Sequence, residues 1–414
     1  MMHRLRLIAG ALAAAAFVVG GGAARAQTPC ESLPNPIVVG GSNDFAFILK
    51  QFAVDMAVES PPVTVISVVG GGQTTSCGAV AGVVGGMDLG GLSGRYYTVD
   101  GKMVTTNACA FSAGRTTDVA ISDIFYESCT NVTQPKPDDV ADVLGPAQAT
   151  AFVVPLANTA TQAITYAEAR AIYGCGVSST RKVAGLFATP ADVLCRNPDV
   201  GTQITIAKNI GLPEAMMAPP RCTVMNVEDT MLAAMVVRPM TPAEPLGYTP
   251  PADGLGFLSA SQVYLNGAAV TPLAYQALGQ NQAYLVDSSP VLSDRRNVRD
   301  GHYRLWGYVH MIMKTSGGKP SSPGADLIGW INATKPGTKA DYFELATTNG
   351  LIPQCAMKVQ RTADGGPLSS FAPTEPCSCS FEALATRSIP VGCKPCTSPS
   401  VCGCGSTCRR GFCE

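Results

Sequence analysis

Arg196-Asn-Pro-Asp-Val-Gly201-Thr202-Gln203 is the stretch of this chain best equipped to handle an anion. It reads as an arginine-bearing arm, a Pro-Asp turn and a helix beginning near Thr202. The first N–H groups of a helix lack intrahelical acceptors, and the helix dipole favours negative charge there. A neighbouring guanidinium adds a planar fork that holds two oxyanion oxygens at once. The same residues also make an ordinary turn before a helix, with Arg196 paired to Asp192 or Asp199 at the surface. Two earlier loops offer further donors, Gly40-Gly-Ser-Asn-Asp-Phe45 and Gly70-Gly-Gly-Gln-Thr-Thr-Ser76, and Asp123 follows a third apolar segment. Each has a structural reading as well. Ser42 and Asn43 are good N-caps, Asp44 suits the first turn of a helix, Phe45 suits a core, and Asp123 suits a turn.

These loops need strands and helices to aim them. Pro36–Gly40 and Val63–Val69 read as apolar strands, and Phe45, Ile48, Leu49, Phe52 and Met56 recur at helical spacing between them. Asp118–Ser122 and Ala151–Leu156 read as further buried strands. Thr165-x-x-Glu168 is a capping box whose helix stops at Gly174, while Gly254–Leu258 and Arg304–Met313 read as late strands. Strands alternating with helices predict a largely parallel α/β sheet, or two. In open sheets of that kind ligands sit beyond the carboxyl ends of strands, where all three loops fall.

Five segments in this order resemble the phosphate-binding periplasmic protein of the phosphate ABC transporter. They are Gly40–Phe45, Gly70–Ser76, Val119-Ala-Ile-Ser-Asp123, Ile164-Thr-Tyr-Ala-Glu-Ala-Arg-Ala-Ile-Tyr-Gly174 and Arg196–Thr202, and the resemblance spans roughly residues 36–350. It implies an α/β, two-lobed type 2 periplasmic binding protein fold with a hinge and an inter-lobe cleft. It also implies that the loop of Ser42, Asn43, Asp44 and Phe45, one or more hydroxyls of Thr74, Thr75 and Ser76, and the Asp123 carboxylate face a ligand held by Arg196, Gly201 and Thr202. Two positions depart from the family. Asp44 stands where the family has a hydroxyl residue, and a carboxylate close to an anion repels it by about 1–4 kcal/mol unless turned away or paired. Val200 replaces a serine, and the missing hydrogen bond to a charged ligand is worth roughly 1.5–3 kcal/mol. Phosphate is therefore the first candidate ligand, with a zwitterion or a polyol as alternatives.

The N-terminus carries Arg4 and Arg6, an uncharged apolar run from Leu7 to Val19, and Ala24-Arg25-Ala26 before Gln27, the pattern of a cleaved signal peptide. Export makes the 16 cysteines a disulfide framework. Half are scattered at 30, 77, 109, 129, 175, 195, 222 and 355, and half crowd the tail at 377, 379, 393, 396, 402, 404, 408 and 413. Even counts on each side suggest two separately stapled units, so a small disulfide-rich C-terminal module is added to the α/β body. The close CxxC and CxC spacing in the tail would also suit thiolate binding of zinc or copper(I), but no tail histidine accompanies it.

The expected organisation is a signal peptide at 1–26, one lobe from 27–148 and 301–364, the other from 149–300, a Pro/Gly/Ser-rich linker at 365–376 and the module at 377–414. Only 14% of residues are charged and the net charge is -1, which argues against nucleic-acid and anionic-membrane partners. Membrane insertion after signal cleavage is not expected, because the uncharged stretch from Ser60 to Met87 is rich in Gly, Ser, Thr and Gln and reads as a buried strand and loop. No HExxH, GxSxG or P-loop is present, and His302 and His310 lie in no recognisable motif, so neither an enzyme nor a cofactor or metal is expected. The expected function is an exported, periplasmic or secreted solute-binding protein that captures a small oxyanion for uptake or sensing, with an ABC permease or surface receptor as partner. The alternative is a secreted interaction or adhesion module that keeps the fold without a small ligand.

Overall fold

The computed structural model describes residues 27–42, 45–156, 158, 161–176, 193–225, 254–265, 270–317, 319–320, 324–331, 341–403 and 405–414. The signal-like segment, Asn43, Asp44 and Asp192 lie outside them. Strands β1 (Pro36–Gly41), β2 (Thr64–Val69), β3 (Ser93–Asp100), β4 (Met103–Ala110), β5 (Val119–Ser122) and β6 (Val140–Pro155) come first. They are followed by β7 (Ala163–Thr165), β8 (Leu194–Arg196), β9 (Thr223–Met225), β10 (Gly256–Ser259), β11 (Val270–Pro272), β12 (Ala274–Gln276) and β13 (Trp306–Ser316). Helices α1 (Ala46–Ala57), α2 (Ser76–Gly85), α3 (Tyr166–Cys175) and α4 (Gly201–Asn209) position the candidate loops. No helix among the described residues is long and apolar enough to cross a membrane.

The main sheet runs β10-β6-β13-β5-β1-β2-β3-β4, with β11 also on β6. Within it β1 is parallel to β2 and β5, as the strand–helix alternation predicts, but every other pairing is antiparallel. The expectation of a largely parallel sheet fails for two reasons. The β3–β4 hairpin closes through Gly101 at φ +58 and lies mostly exposed, so it lacks the buried apolar signature that marked the other strands. The strand expected from Ala151 in fact begins at Val140, and its added first part runs antiparallel to β13. That first part contains the close approach of Gly145 to the Val309 carbonyl, where a Cβ would sit 3.1 Å away, beside a bulge between Tyr308 and His310.

Strand β6 passes from one apolar core to another. Ile37, Val39, Phe45, Phe52, Met56, Val119 and Met311 form the first, and the helical spacing of α1 puts Phe45, Ile48, Leu49, Phe52 and Met56 inside it. Phe152, Tyr173, Phe257, Tyr303 and Trp306 anchor the second, which α3 and α4 cover. Helix α3 starts at the expected capping box, with Thr165 Oγ1 accepting from the Glu168 amide at 3.2 Å and Glu168 Oε2 accepting from the Thr165 amide at 2.8 Å. A smaller cluster joins the two: Ile204 of α4 packs with Cys77, Val80, Ile124, Tyr126 and Cys129.

The cysteines correct one expectation. Cys30–Cys109, Cys77–Cys129 and Cys195–Cys222 staple the body, and Cys379–Cys393, Cys396–Cys408 and Cys402–Cys413 staple the tail. Cys355–Cys377, however, joins the two, so they are not separately stapled units. Cys175 is free and exposed, and Cys404 lies outside the described residues. The helix at Ser378–Thr386 buries Phe381 in the second core, and Arg299 reaches Glu382 at 3.1 Å, so the tail is packed as well as tied to the body. The stretch read as a linker contributes a strand, Ser369–Ser370, paired with Val359–Gln360. Cys396, Cys402 and Cys413 bring their sulfurs within 4.8 Å of one another, but all three sulfurs are spent in disulfides and are not thiolate ligands.

Candidate ligand-binding cleft

The first loop follows β1 at a tight crossing. Gly41 adopts φ +133 and donates its amide to the Gln73 carbonyl at 2.7 Å, and a Cβ on it would fall 2.0 Å from the Ile121 carbonyl oxygen. Ser42 then donates its amide to that same Ile121 oxygen at 2.9 Å. The first loop is thereby bound to β5, the strand that ends at Asp123. Ser42, Phe45 and Thr74 meet around a cavity of about 40 Å³, room for little more than a water or two. Phe45 is also fully buried in the first core, so its core role is real whatever it does for a ligand.

The second loop turns through Gly70, Gly71 and Gly72, all at positive φ, which only glycine adopts readily. Gln73 binds this turn to its surroundings. Its carbonyl takes Gly41, its Nε2 donates to the Gly78 carbonyl at 2.9 Å, and its Oε1 accepts from Thr117 at 3.1 Å. Thr75 is the N-cap of α2: its Oγ1 accepts from the Gly78 amide and donates to the Gly72 carbonyl, both at 3.1 Å. The hydroxyl that reaches across to Asp123 is Ser76's, which donates to Asp123 Oδ1 inside the protein.

The third and fifth segments meet face to face. Asp123 packs directly on Gly201, so closely that a Cβ there would lie 1.8 Å from Oδ1. The Cys77 amide at the start of α2 also donates to the Asp199 carbonyl at 3.3 Å, just before α4. The loop of Ser76 and Asp123 thus rests directly on the start of α4 at Asp199 and Gly201.

The Arg196 wall has a different electrostatic character. Arg196 is 2% exposed, and its backbone amide is held by Gln203 Oε1 at 2.9 Å while Gln203 Nε2 donates to the Met217 carbonyl at 2.7 Å. Its Nε and Nη1 are buried without a hydrogen-bond partner among the described residues, as is Thr202 Oγ1. Helix α4 has Val200 at its N-cap and no side-chain cap hydrogen bond. Burying a guanidinium without a counter-charge costs several kcal/mol. A negatively charged group with acceptor oxygens is what such a wall fits, and the surface pairing of Arg196 with Asp199 is not what the structure shows. The bracing glutamines, Gln73 and Gln203, were not singled out in the sequence, although both lie inside the stretches quoted above.

His310 is fully buried, as expected for a strand residue, with Nδ1 2.7 Å from Asp142 Oδ1 and its ring against Phe125 at 4.4 Å. His302 stacks on Tyr284 at 5.0 Å.

No family model and no curated protein matches this sequence. Among solved structures, a putative phosphate ABC transporter substrate-binding protein from Clostridium perfringens, with bound phosphate, is similar at TM-score 0.51 and 12% identity, over 77% of this chain and 99% of that one. An ABC-type phosphate transport receptor from Vibrio cholerae aligns over 77% of this chain and 100% of its own at 15% identity, with TM-score 0.49. At such identities the likeness speaks to the fold. This chain has a mixed α/β fold of the type 2 periplasmic binding protein kind, carrying a disulfide-rich C-terminal region.

Proposed function

We propose that this chain is an exported solute-binding protein that captures a small oxyanion, phosphate being the first candidate, in a cleft between two lobes. The lobes comprise 27–148 with 301–364, and 149–300. The observation that carries this reading is the buried Arg196 guanidinium, whose Nε and Nη1 have no hydrogen-bond partner among the described residues, beside Thr202 and the uncapped start of α4. These groups hold the oxyanion from one wall, while Ser76 and Asp123 meet it from the other. A carboxylate in that place accepts a hydrogen bond from a protonated oxyanion and repels a fully ionised one, so it favours hydrogen phosphate over sulfate. Closure around the ligand shifts the population toward a form that an ABC permease or a surface receptor reads. The disulfides accord with a periplasmic or secreted setting.

A second reading rests on Ile204. This α4 side chain is 2% exposed among Cys77, Ile124 and Cys129 of the opposite wall, an apolar contact between the two sides. It favours an interaction module that keeps the fold and no longer opens. Calorimetric titration of phosphate into the oxidised chain from Gln27 to Glu414, stripped of carried-over ligand by unfolding and refolding, separates the two. Micromolar or tighter binding that Arg196→Ala abolishes supports capture. No heat from a folded sample removes phosphate and leaves another small solute or the interaction module.

A further inference from the structure

Beyond residue 350 the chain leaves the part that resembles the phosphate-binding family, and there it makes a turn that touches both walls of the cleft. Arg361 is buried with its guanidinium 4.1 Å above the Trp306 ring, donating to the carbonyls of Trp306 at 2.7 Å and Arg304 at 3.0 Å. Gly365, at φ +68, sits on the backbone of Lys208 in the last turn of α4, where a Cβ would meet it at 2.8 Å. Trp306, although it lies within residues 301–364, packs in the second core with Phe152, Tyr173 and Ile206, so its contact and that of Lys208 seat the turn on the side that carries Arg196. Asp364 points the other way. Its Oδ2 accepts from the Phe125 amide at 2.9 Å and from Ser128 Oγ at 2.6 Å, in the loop that follows Asp123.

The same carboxylate lies beside the backbone of Asp123. Gly307 of β13 is close to both: a Cβ on it would sit 3.1 Å from the Asp123 carbonyl oxygen and 3.3 Å from Asp364 Oδ1, a tight fit. Arg361 and His310 are the charged or titratable side chains that act on Asp364.

We propose that the turn at 361–366 is a strap across the cleft: Asp364 grips the Phe125–Ser128 loop while Arg361 and Gly365 hold the turn to Trp306 and α4, biasing the protein toward its closed form. This rests on the two-sided cleft proposed above but not on the identity of its ligand. The whole grip on the loop passes through one carboxylate oxygen. An asparagine turned to place its Oδ1 there accepts both bonds, whereas alanine accepts neither.

Small-angle scattering of the full oxidised chain without phosphate tests the strap. Asp364→Ala should raise the radius of gyration by about 1 Å on a value of about 21 Å for a compact chain of this length, and Asp364→Asn should leave it unchanged. A folded Asp364→Ala protein that scatters like the parent overturns the proposal. Should that variant not fold, Ser128→Ala decides by hydrogen exchange: faster exchange at the Phe125–Ser128 amides with unchanged α3 supports the strap, and unchanged exchange at both overturns it. Because neither readout uses phosphate, a failed titration and a failed strap remain distinct results.

Discussion

On the Asp123 wall of the cleft, the hydroxyls and amides named above are engaged by the protein itself: Thr75 caps α2, Gln73 bonds to three separate segments, and Ser76 donates to Asp123. On the Arg196 wall, a buried guanidinium and the Thr202 hydroxyl carry donors without a partner among the described residues, at the start of a helix that no side chain caps. The first arrangement stabilises the fold on its own account. The second costs stability, and a folding argument alone supplies no reason to keep it. The two walls should therefore respond differently to substitution, one through stability and the other through ligand affinity.

The largest expected effect is at Arg196. Arg196→Ala should weaken phosphate binding by a hundredfold or more, about 3–5 kcal/mol as for truncating one partner of a buried charge pair, read by calorimetry. Arg196→Met, without ligand, should gain about 1–4 kcal/mol of stability, as replacing buried ions by apolar groups often does, read by urea unfolding. A loss instead would mean that Arg196 is satisfied within the protein, and the contrast between the walls would disappear.

Gly201→Ala comes next. Its Cβ would collide with Asp123 Oδ1, so the carboxylate must swing aside and the walls part; overpacking of this kind costs about 1–3 kcal/mol. Unaltered urea unfolding of that variant would show that the walls do not press together there. On the satisfied wall, Ser76→Ala should cost about 1–2 kcal/mol and Thr75→Ala about 1 kcal/mol of stability, with Thr75→Ala leaving phosphate affinity unchanged. Loss of affinity in the Thr75 variant would move the ligand-facing hydroxyl away from Ser76.

The smallest effect is a pH dependence at the strap. Burial pushes the Asp364 carboxyl above its ordinary value of 3.8, outweighing the Ser128 hydroxyl, His310, the Phe125 amide and Arg361, which pull it down. A raised carboxyl contributes stability that is fully present below the ordinary value and lost as pH rises through the folded one. Asp364→Asn lacks that loss, so its melting temperature relative to the parent should climb between pH 4 and pH 7. A constant difference would place the carboxylate in a more solvated setting than the structure gives it.

Much of this architecture is legible in the residues. The apolar runs of β1 and β2, the spacing of Phe45, Ile48, Leu49, Phe52 and Met56, and the Thr165–Glu168 capping box announce local structures whose causes are local. The β3–β4 hairpin was not, because half-exposed strands such as Ser93–Asp100 carry little burial signal. The first part of β6 is not legible either, because its pattern mixes intermediate burial with Gly145 and Pro146. Phe45 and Thr75 show the limit at the site: Phe45 takes the core position its residue type also suited, and the cap role of Thr75 appears only in the structure.

The sequence by itself determined where β1, β2 and β5 end, which loops leave them, and that a guanidinium sits just before a helix start, since each of these follows from neighbouring residues. Only the tertiary structure decided that Asp123 rests on Gly201, that Arg196 is buried with donors that have no partner among the described residues, that Cys355 pairs with Cys377, and that Asp364 reaches the loop after Asp123. These are contacts between residues tens to hundreds of positions apart. Antiparallel passage of β6 and β13 between the two cores and packing of the tail onto the body bring them together, and no local propensity encodes either.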